Sequence, residues 1–457
     1  MNIPSKPTRV LATAAVAVSM TACVNQPIPA GAASVPAATV PATAVAAPGI
    51  PDTPAGKQLA WLLDALASPP VPEAEIGKHF AADFLKGTPA KVINQVLTSF
   101  KGMRLEKVTT SREDALIALA TEGEWRHEIS LSVDTAGLIN GLLFRAPAPK
   151  SWAELDERLK KAAPQAGFLA AEVAGNGAKN GNCRPVHAIA RDRKRPLGSI
   201  FKLYVLGTVA QRIKAGAFSW DTELTITPEL KSLPSGELQD RPDGSKVTVM
   251  EAAKLMISIS DNTATDLLIH KVGRKAVERT MRAWGATDKR NFPLLKTREL
   301  FVLKGADYPR HAKRYLSLST AKKRDYLEKV VAEVPLTRVK AWTKPRELDT
   351  IEYFASPSDI CRAQAQLIKM DDKQVDKAMS VPASALGLDP KQWPTVWYKG
   401  GSEPGVHDQS FLARTSAGKT YVVTSMAVNP KAAFDDGKLG AELTALARGA
   451  FPLADGS

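Results

Sequence analysis

Ser199 and Lys202 are the residues whose types and spacing most directly suggest chemistry. A serine hydroxyl is a weak nucleophile at neutral pH and needs a nearby base. Residues three apart on a helix share one face, so the Lys202 amine can reach the Ser199 hydroxyl. Burial or neighbouring cations lower the pKa of such an amine until it can accept a proton. The pair therefore predicts nucleophilic acyl transfer.

The spacing alone is not selective, because Ser319 with Lys322 and Ser416 with Lys419 repeat it. The setting of Ser199 is different, since an apolar helical face follows it over residues 203–209. Ser199 is thereby predicted in the first turn of a helix, where backbone N–H groups and the helix dipole favour developing negative charge.

A second motif, Ser260 followed by Asp261 and Asn262, lies between two apolar helical segments. Its hydroxyl and amide could complete a proton relay and hold a substrate amide. Residues of these three types are also favoured as helix N-caps, and for the motif in isolation this purely structural role is the favoured interpretation.

A third motif begins at Lys399, which is followed by Gly400, Gly401 and Ser402 on a predicted strand. A lysine among small residues could attract a substrate carboxylate, while the bare backbone lets an acyl group lie against the strand. The structural alternative is a strand end or a bulge.

Two folded regions are predicted to position these motifs. Residues 55–149 show helical periodicity followed by alternating strands, which indicates a small α+β domain; its element order is similar to that of the nuclear-transport-factor-2 and ketosteroid-isomerase domains. Residues 150–457 predict an antiparallel sheet built from both ends of the region, with a helical lobe between its strands. The predicted strands are 168–174, 185–191, 396–400, 410–416 and 421–428. Distant side chains can converge in the cleft of such a plan.

The order of the three motifs resembles that of the penicillin-recognising serine enzymes, especially the class A β-lactamases, over roughly residues 151–451. The resemblance implies an α+β fold, with a five-stranded antiparallel sheet and a helical lobe, and acylation of Ser199 assisted by Lys202. Further implied roles are a catalytic hydroxyl at Ser260, an oxyanion hole from the amides of Ser199 and Ser402, and a substrate-binding set of Asn262, Lys399, Gly400, Gly401 and Ser402.

Two departures from the family pattern bear on activity. Gly400 replaces a hydroxyl residue that the family uses to hold a β-lactam carboxylate, which weakens penicillin binding unless the Ser402 hydroxyl takes over this role. The glutamate that positions the deacylating water has Glu347 as its best positional candidate, with Glu299 and Glu352 weaker. A basic stretch of about residues 297–345, predicted helical over 321–334, makes the chain longer than the family pattern here.

The long stretch and the additional N-terminal domain resemble the two-domain β-lactamase-like proteins related to one encoded in the clavulanic acid cluster. That resemblance implies a β-lactamase fold with weak esterase activity rather than strong antibiotic resistance.

The first 23 residues read as an export signal, because a basic start precedes a short apolar run. Residues 20–23 resemble a bacterial lipoprotein lipobox, which predicts a lipid anchor on Cys23 in the cell envelope. A plain secretory signal, cleaved near Ala22 or Ala33, is the alternative. Residues 24–54 are rich in alanine and proline and are predicted to form a disordered tether.

The net charge of +14 is dispersed, and no nucleic-acid-binding motif accompanies it, so we expect no nucleic-acid partner. The three cysteines have no metal-ligand spacing, and we expect no cofactor; whether Cys183 and Cys361 pair is left open. The predicted function is a serine hydrolase acting on a β-lactam or a related ester or amide. The alternatives are a cell-wall D,D-peptidase acting on peptidoglycan stem peptides, or a penicillin-binding or sensory protein with little turnover.

Overall fold

The computed structural model describes residues 49–173 and 183–457. The predicted signal segment, Cys23 and most of the predicted tether lie outside these residues. The described chain divides into two compact units, one ending at Pro147 and the other beginning at Ala148. Within the described ranges, none of the helices is long and apolar enough to cross a membrane.

The first unit consists of four helices followed by a four-stranded antiparallel sheet in the order β1-β2-β3-β4. Thr53 caps the first helix by accepting a hydrogen bond from the Gly56 amide at 3.0 Å. The elements are α1 Pro54–Ala67, α2 Glu73–His79, α3 Ala82–Gly87, α4 Ala90–Ser99, β1 Arg104–Ser111, β2 Ala115–Glu122, β3 Trp125–Val133 and β4 Ile139–Arg145.

The core of this unit forms where the apolar face of α1 meets the sheet. Leu59, Leu62 and Leu66 are buried on the helix, and alternate residues of β2 and β3 are buried opposite them. The α+β class predicted from the sequence is confirmed. The sequence pattern had not indicated β1, because this strand is polar and largely exposed and lacks an apolar alternation.

The second unit is built on a five-stranded antiparallel sheet in the order β11-β12-β13-β5-β6. The strands of this unit are β5 Gln165–Val173, β6 Cys183–Ile189, β7 Arg195–Pro196, β8 Glu223–Thr225, β9 Lys246–Thr248, β10 Phe354–Ala355, β11 Thr395–Glu403, β12 Val406–Arg414 and β13 Thr420–Val428. The predicted five-stranded sheet from both ends of the region is confirmed.

Helices cover both faces of this sheet. The helices are α5 Trp152–Ala162, α6 Lys202–Lys214, α7 Val249–Ser258, α8 Asn262–Val272, α9 Arg274–Ala283, α10 Thr297–Gly305, α11 Arg310–Leu316, α12 Thr320–Tyr326, α13 Pro357–Lys369, α14 Lys373–Met379, α15 Ala383–Leu386 and α16 Asp436–Asp455. On β13, Val423 packs toward α5 and α16 while Val422 packs toward the helical lobe, so the strand is apolar throughout.

Strands β11 and β12 differ from their predicted bounds. The first continues past Gly400 to Glu403, and the second begins at Val406, four residues before the predicted start at 410. The cause is the composition of β12, whose buried Asp408 and Gln409 interrupt the apolar pattern. Gly405 adopts a φ of +91° in the tight turn between the strands.

The basic stretch beyond residue 296 is partly a core element. Val302 and Leu303 on α10 are fully buried in the core of the helical lobe. The predicted helix over 321–334 is instead α12 followed by a π-helical turn at Leu327–Val331. The added residues are therefore integrated into the lobe through α10.

A disulfide joins Cys183, at the start of β6, to Cys361 on α13, with 6.2 Å between their Cα atoms. It closes a sequence separation of 178 residues. Cross-linking such distant positions removes conformational entropy from the unfolded chain.

We expect Cys361→Ser to lower the free energy of unfolding by about 3–5 kcal/mol, in line with loops of this length. Denaturant titration with and without reductant measures the effect. The reduced wild-type protein should match the variant, whose own stability should not respond to reductant. Equal stability of the variant and the oxidised wild type would contradict the prediction.

Candidate active site

The nucleophile segment is a 3-10 turn over Gly198–Phe201, and α6 begins only at Lys202. Ser199 is half-buried in this turn, where the sequence had indicated the first turn of a regular helix. The turn is held by Tyr353, whose carbonyl accepts a hydrogen bond from the Leu197 amide at 2.8 Å and whose ring stacks on Phe201 at 3.6 Å.

The Lys202 amine is fully buried and points at the turn between α7 and α8. It donates to the Ser260 carbonyl at 2.7 Å, to Ser260 Oγ at 3.0 Å and to Asn262 Oδ1 at 2.7 Å. Within the described residues, no hydrogen bond joins this amine to the Ser199 hydroxyl. Three oxygen atoms of the Ser260 turn surround the amine instead.

The turn at Ser260 combines the two roles that its sequence allowed. Asp261 caps α8 by accepting from the Ala264 amide at 2.8 Å, and it also binds the amides of Glu237 and Leu238. Asn262 donates to the Leu233 carbonyl at 2.6 Å. Because the cap is supplied by Asp261, the side chains of the two flanking residues are left to face the lysine.

Lys399 reaches the same hydroxyl from β11. Its amine donates to Ser260 Oγ at 3.1 Å and to the Gly400 carbonyl at 2.7 Å. Ser260 Oγ therefore lies between two buried lysine amines that come from α6 and from β11. The structure thus brings together four of the site residues predicted from the sequence, namely Lys202, Ser260, Asn262 and Lys399.

Burial is the main cause of the lowered pKa of both lysine amines. It lowers the pKa of Lys202 well below its usual range; the charge of Lys399 lowers it further, and Asp261 and Asp266 oppose the shift. Burial also lowers the pKa of Lys399, to about 7. A neutral amine at either position can accept a proton, so the site has the base that a serine nucleophile requires.

The backbone of β11 passes directly beside the nucleophile turn. A Cβ atom placed on Gly401 would collide with the Leu197 carbonyl oxygen and lie 2.8 Å from the Ser199 nitrogen. A Cβ on Gly198, whose φ is +49°, would lie 2.8 Å from the Ser402 nitrogen. The amides of Ser199 and Ser402, the predicted oxyanion donors, thus belong to two segments in close contact.

We expect Gly401→Ala to reduce the rate of acylation by about 10²–10³-fold, the cost of one misplaced oxyanion donor. Gly437→Ala is the matched control, since the nearest atom to its added Cβ is an ordinary 3.5 Å away. Single-turnover kinetics with a chromogenic ester measures both variants. Wild-type acylation in Gly401→Ala would show that this close approach is dispensable.

Gly400 has a structural explanation as well as a chemical consequence. A Cβ on Gly400 would collide with the hydroxyl of Tyr398, whose ring packs on Phe411 at 4.7 Å on the other face of the sheet. The Tyr398 side chain therefore fills the space that a side chain at position 400 would need. Ser402 is exposed two residues further along the strand.

Two of the candidate glutamates lie outside the lysine network. Glu347 accepts hydrogen bonds from Thr350 at 2.6 Å and from Tyr308 at 3.3 Å, both exposed pairs. Glu299 pairs with both nitrogens of Arg274, at 2.6 and 2.8 Å. The structure brings neither of them into hydrogen-bond contact with Lys202.

The third candidate, Glu352, lies against the nucleophile turn. Its carboxyl accepts from the Gly198 amide at 3.3 Å and contacts Glu403, which in turn pairs with the buried Lys304. Sequence reasoning had missed Glu403 and Lys304. Glu403 could have been found from the sequence, because side chains alternate between the two faces of a strand and residue 403 therefore lies on the same face of β11 as Lys399.

The pKa of Lys399 predicts a pH dependence that distinguishes substrates. Below about pH 7 the free protein holds this amine as a cation, and above it the amine is neutral. We expect the affinity for a carboxylate-bearing acyl substrate to fall as pH rises through 7, by up to about tenfold per unit, while an uncharged ester shows no such loss. Initial-rate KM values from pH 5.5 to 8.5 measure this. Identical profiles for both substrates would contradict it.

Two family models match the chain. The family model described as "Beta-lactamase enzyme family" matches residues 152–338, and the one described as "ORF 12 gene product N-terminal" matches residues 50–139. No curated protein is significantly similar to the chain in sequence.

Among solved structures, a beta-lactamase from Sphaerobacter thermophilus is 20% identical (67% of this chain, 99% of that one, TM-score 0.46), and PBP-A is 18% identical (68% and 99%, TM-score 0.44). A class A beta-lactamase from Mycobacterium abscessus is 15% identical (67% and 99%, TM-score 0.45). Residues 152–338, which hold both the nucleophile turn and the Ser260 turn, are thus similar to the beta-lactamase enzyme family.

Proposed function

We propose that this protein is a serine acyl-transfer enzyme that forms an acyl-enzyme at Ser199 with a β-lactam or a carboxylic ester. The observation that carries the proposal is the position of Ser260 Oγ between Lys202 and Lys399, at 3.0 and 3.1 Å. A hydroxyl held by two amines of lowered pKa can pass a proton in either direction.

In the proposed step, Ser199 Oγ forms a bond to the substrate carbonyl carbon and transfers its proton to the neutral Lys202 amine. The resulting oxyanion is stabilised by the amides of Ser199 and Ser402. The proton then passes through Ser260 to the leaving nitrogen or oxygen as the scissile bond breaks. The Lys399 cation binds a carboxylate on the substrate, where one is present.

We propose that release of the acyl group is the slow step. Hydrolysis of an acyl-enzyme needs a base that activates water. In the described part of the chain, the hydrogen bonds of Lys202 and Lys399 include no carboxylate partner, and Glu347 is engaged elsewhere. This favours, as second candidate, a penicillin-binding protein with little turnover.

Stopped-flow measurement with a chromogenic cephalosporin and a p-nitrophenyl ester tests the proposal. We expect a burst of about one product per protein followed by a slow steady rate, the signature of an accumulating acyl-enzyme. Product formation at the background rate, with neither burst nor turnover, would overturn it. Glu347→Gln should leave the steady rate unchanged, and a fall in that rate would instead make Glu347 the deacylating base.

We further propose that the protein is exported and anchored to a membrane through a lipid on Cys23. The order of basic, apolar and small residues before Cys23 supports export. The disulfide between Cys183 and Cys361 supports it as well, because such bonds persist in oxidising compartments. Globomycin-sensitive processing, with loss of membrane association in Cys23→Ser, is the expected result. A freely soluble wild-type protein would contradict the anchor.

A further inference from the structure

A buried carboxyl pair lies behind the nucleophile turn. Glu352 is 3% exposed, and its carboxyl lies beside the carboxyl of Glu403. Two carboxyl groups can form a hydrogen bond only if one of them holds a proton. Burial, reinforced by the charge of Glu403 and opposed by Lys304, raises the pKa of Glu352 well above its usual range. The raised pKa favours one proton shared by the two carboxyls.

The remaining negative charge of the pair is balanced by Lys304 from α10. The Lys304 amine is fully buried and contacts both oxygens of Glu403, at 2.6 and 2.7 Å. The guanidinium of Arg346 donates to the backbone carbonyl of Lys304 at 2.9 Å. With one proton on the two carboxyls, the side chains of Glu352, Glu403 and Lys304 together carry no net charge, which lowers the cost of burying them.

Each carboxyl of the pair is attached to one half of the predicted oxyanion hole. Glu352 accepts hydrogen bonds from the amides of Gly198 and Tyr353, at 3.3 and 2.7 Å, and Gly198 is the residue before Ser199. Glu403 is the residue after Ser402. The shared proton thus links the turn that carries one amide donor to the strand that carries the other.

We propose that Glu352 and Glu403 are positioning residues that hold the amides of Ser199 and Ser402 at a fixed separation, with Lys304 as their counter-ion. This rests on the proposed acylation of Ser199 for its catalytic consequence. The clamp is absent when both carboxyls are ionised, because like charges in contact repel. Displacing one donor by about 1 Å can cost about a hundredfold in rate.

Hydrogen–deuterium exchange of the full-length protein tests the clamp without requiring catalysis. We expect Glu352→Ala to accelerate exchange in both peptides, the one spanning residues 197–202 and the one spanning 399–405. Glu352→Gln should not, because its amide can donate to Glu403 while its oxygen accepts from Gly198. The control is Glu442→Ala, which breaks the buried pair with Arg158 (2.7 and 2.8 Å) on α5 and α16 instead.

Single-turnover acylation of the same variants, followed from pH 6 to 10 with an uncharged ester, gives the second readout. Glu352→Ala should acylate about a hundredfold more slowly than wild type. Glu352→Gln should acylate at the wild-type rate at neutral pH and should keep that rate as pH rises. The wild-type rate should fall once the carboxyl pair loses its shared proton.

The outcomes separate the two proposals. Unchanged exchange in both peptides for Glu352→Ala, or acceleration in one peptide alone, overturns the clamp whether or not Ser199 is acylated. The clamp is also overturned if exchange in Glu352→Gln is as fast as in Glu352→Ala, because the acceleration is then not due to loss of the hydrogen bond between residues 352 and 403. The clamp stands if Glu352→Ala exchanges faster in both peptides and Glu352→Gln does not. If the wild type is nevertheless not acylated, that result contradicts the proposed function and not the clamp.

Discussion

Ser199→Ala should lower the rate of acylation by about 10⁴-fold or more, the effect of removing the nucleophile from a serine enzyme. The burst with a chromogenic substrate should disappear, and the slow steady release should fall to the background rate. Because Ser199 is half-buried at the surface of the site, the substitution leaves no unpaired buried group, and the melting temperature should stay close to that of wild type.

Ser319→Ala and Ser416→Ala are the matched controls, since each removes the serine of another Ser-x-x-Lys pair. Both should retain the full burst. Retention of the burst in Ser199→Ala, together with its loss in either control variant, would transfer the nucleophile assignment to that serine.

Lys202→Met should lower acylation by about 10²–10⁴-fold, the usual contribution of a general base. Its partners are a carbonyl, a hydroxyl and an amide oxygen, so the substitution leaves no buried charge without a counter-ion. It also removes the cost of burying an amine, and we expect the melting temperature to remain near the wild-type value.

Single-turnover kinetics and thermal unfolding, measured side by side, separate chemistry from folding here. Lys322→Met, from a second Ser-x-x-Lys pair, should change neither quantity. A Lys202→Met protein that acylates at the wild-type rate would exclude this amine as the base. The base would then have to be Lys399, the other amine on Ser260.

The sheet and the lobe were predictable because their signals are local or depend on order. The apolar runs of β5 and β13 identify buried strands. The order of three short motifs resembles that of the class A β-lactamases, and this resemblance implies which sheet the strands form. The predicted site residues that converge in the structure are Lys202, Ser260, Asn262 and Lys399, and they could be named because of the same resemblance.

The direction of the Lys202 amine could not be predicted from the sequence. A spacing of three residues implies a helix, but the segment before Lys202 is a 3-10 turn, and the acceptors come from a turn some sixty residues away. The sequence shows that position 400 is a glycine, but it does not show why a side chain is absent there. That cause is the packing of Tyr398 on Phe411, which depends on the neighbouring strand.

The carboxyl cluster was the least predictable part of the site. Lys304, Glu352 and Glu403 come from three segments, and one of them lies in a basic stretch that has no counterpart in the family pattern. Sequence position favoured Glu347 over Glu352 as the functional glutamate. The structure instead buries Glu352 beside the nucleophile turn. The Tyr353 carbonyl accepts a hydrogen bond from the Leu197 amide, and this pairing places the adjacent Glu352 within hydrogen-bond distance of the Gly198 amide.

Mass spectrometry of the full-length protein after brief exposure to a penicillin, a cephalosporin or a simple ester tests acylation at Ser199. We expect one covalent adduct with the mass of the acyl group, on the peptide that contains Ser199. The adduct should form faster than it is lost, and Ser199→Ala should carry none. An adduct on a different residue, or no adduct with any of the three acyl donors, would exclude Ser199 as the nucleophile.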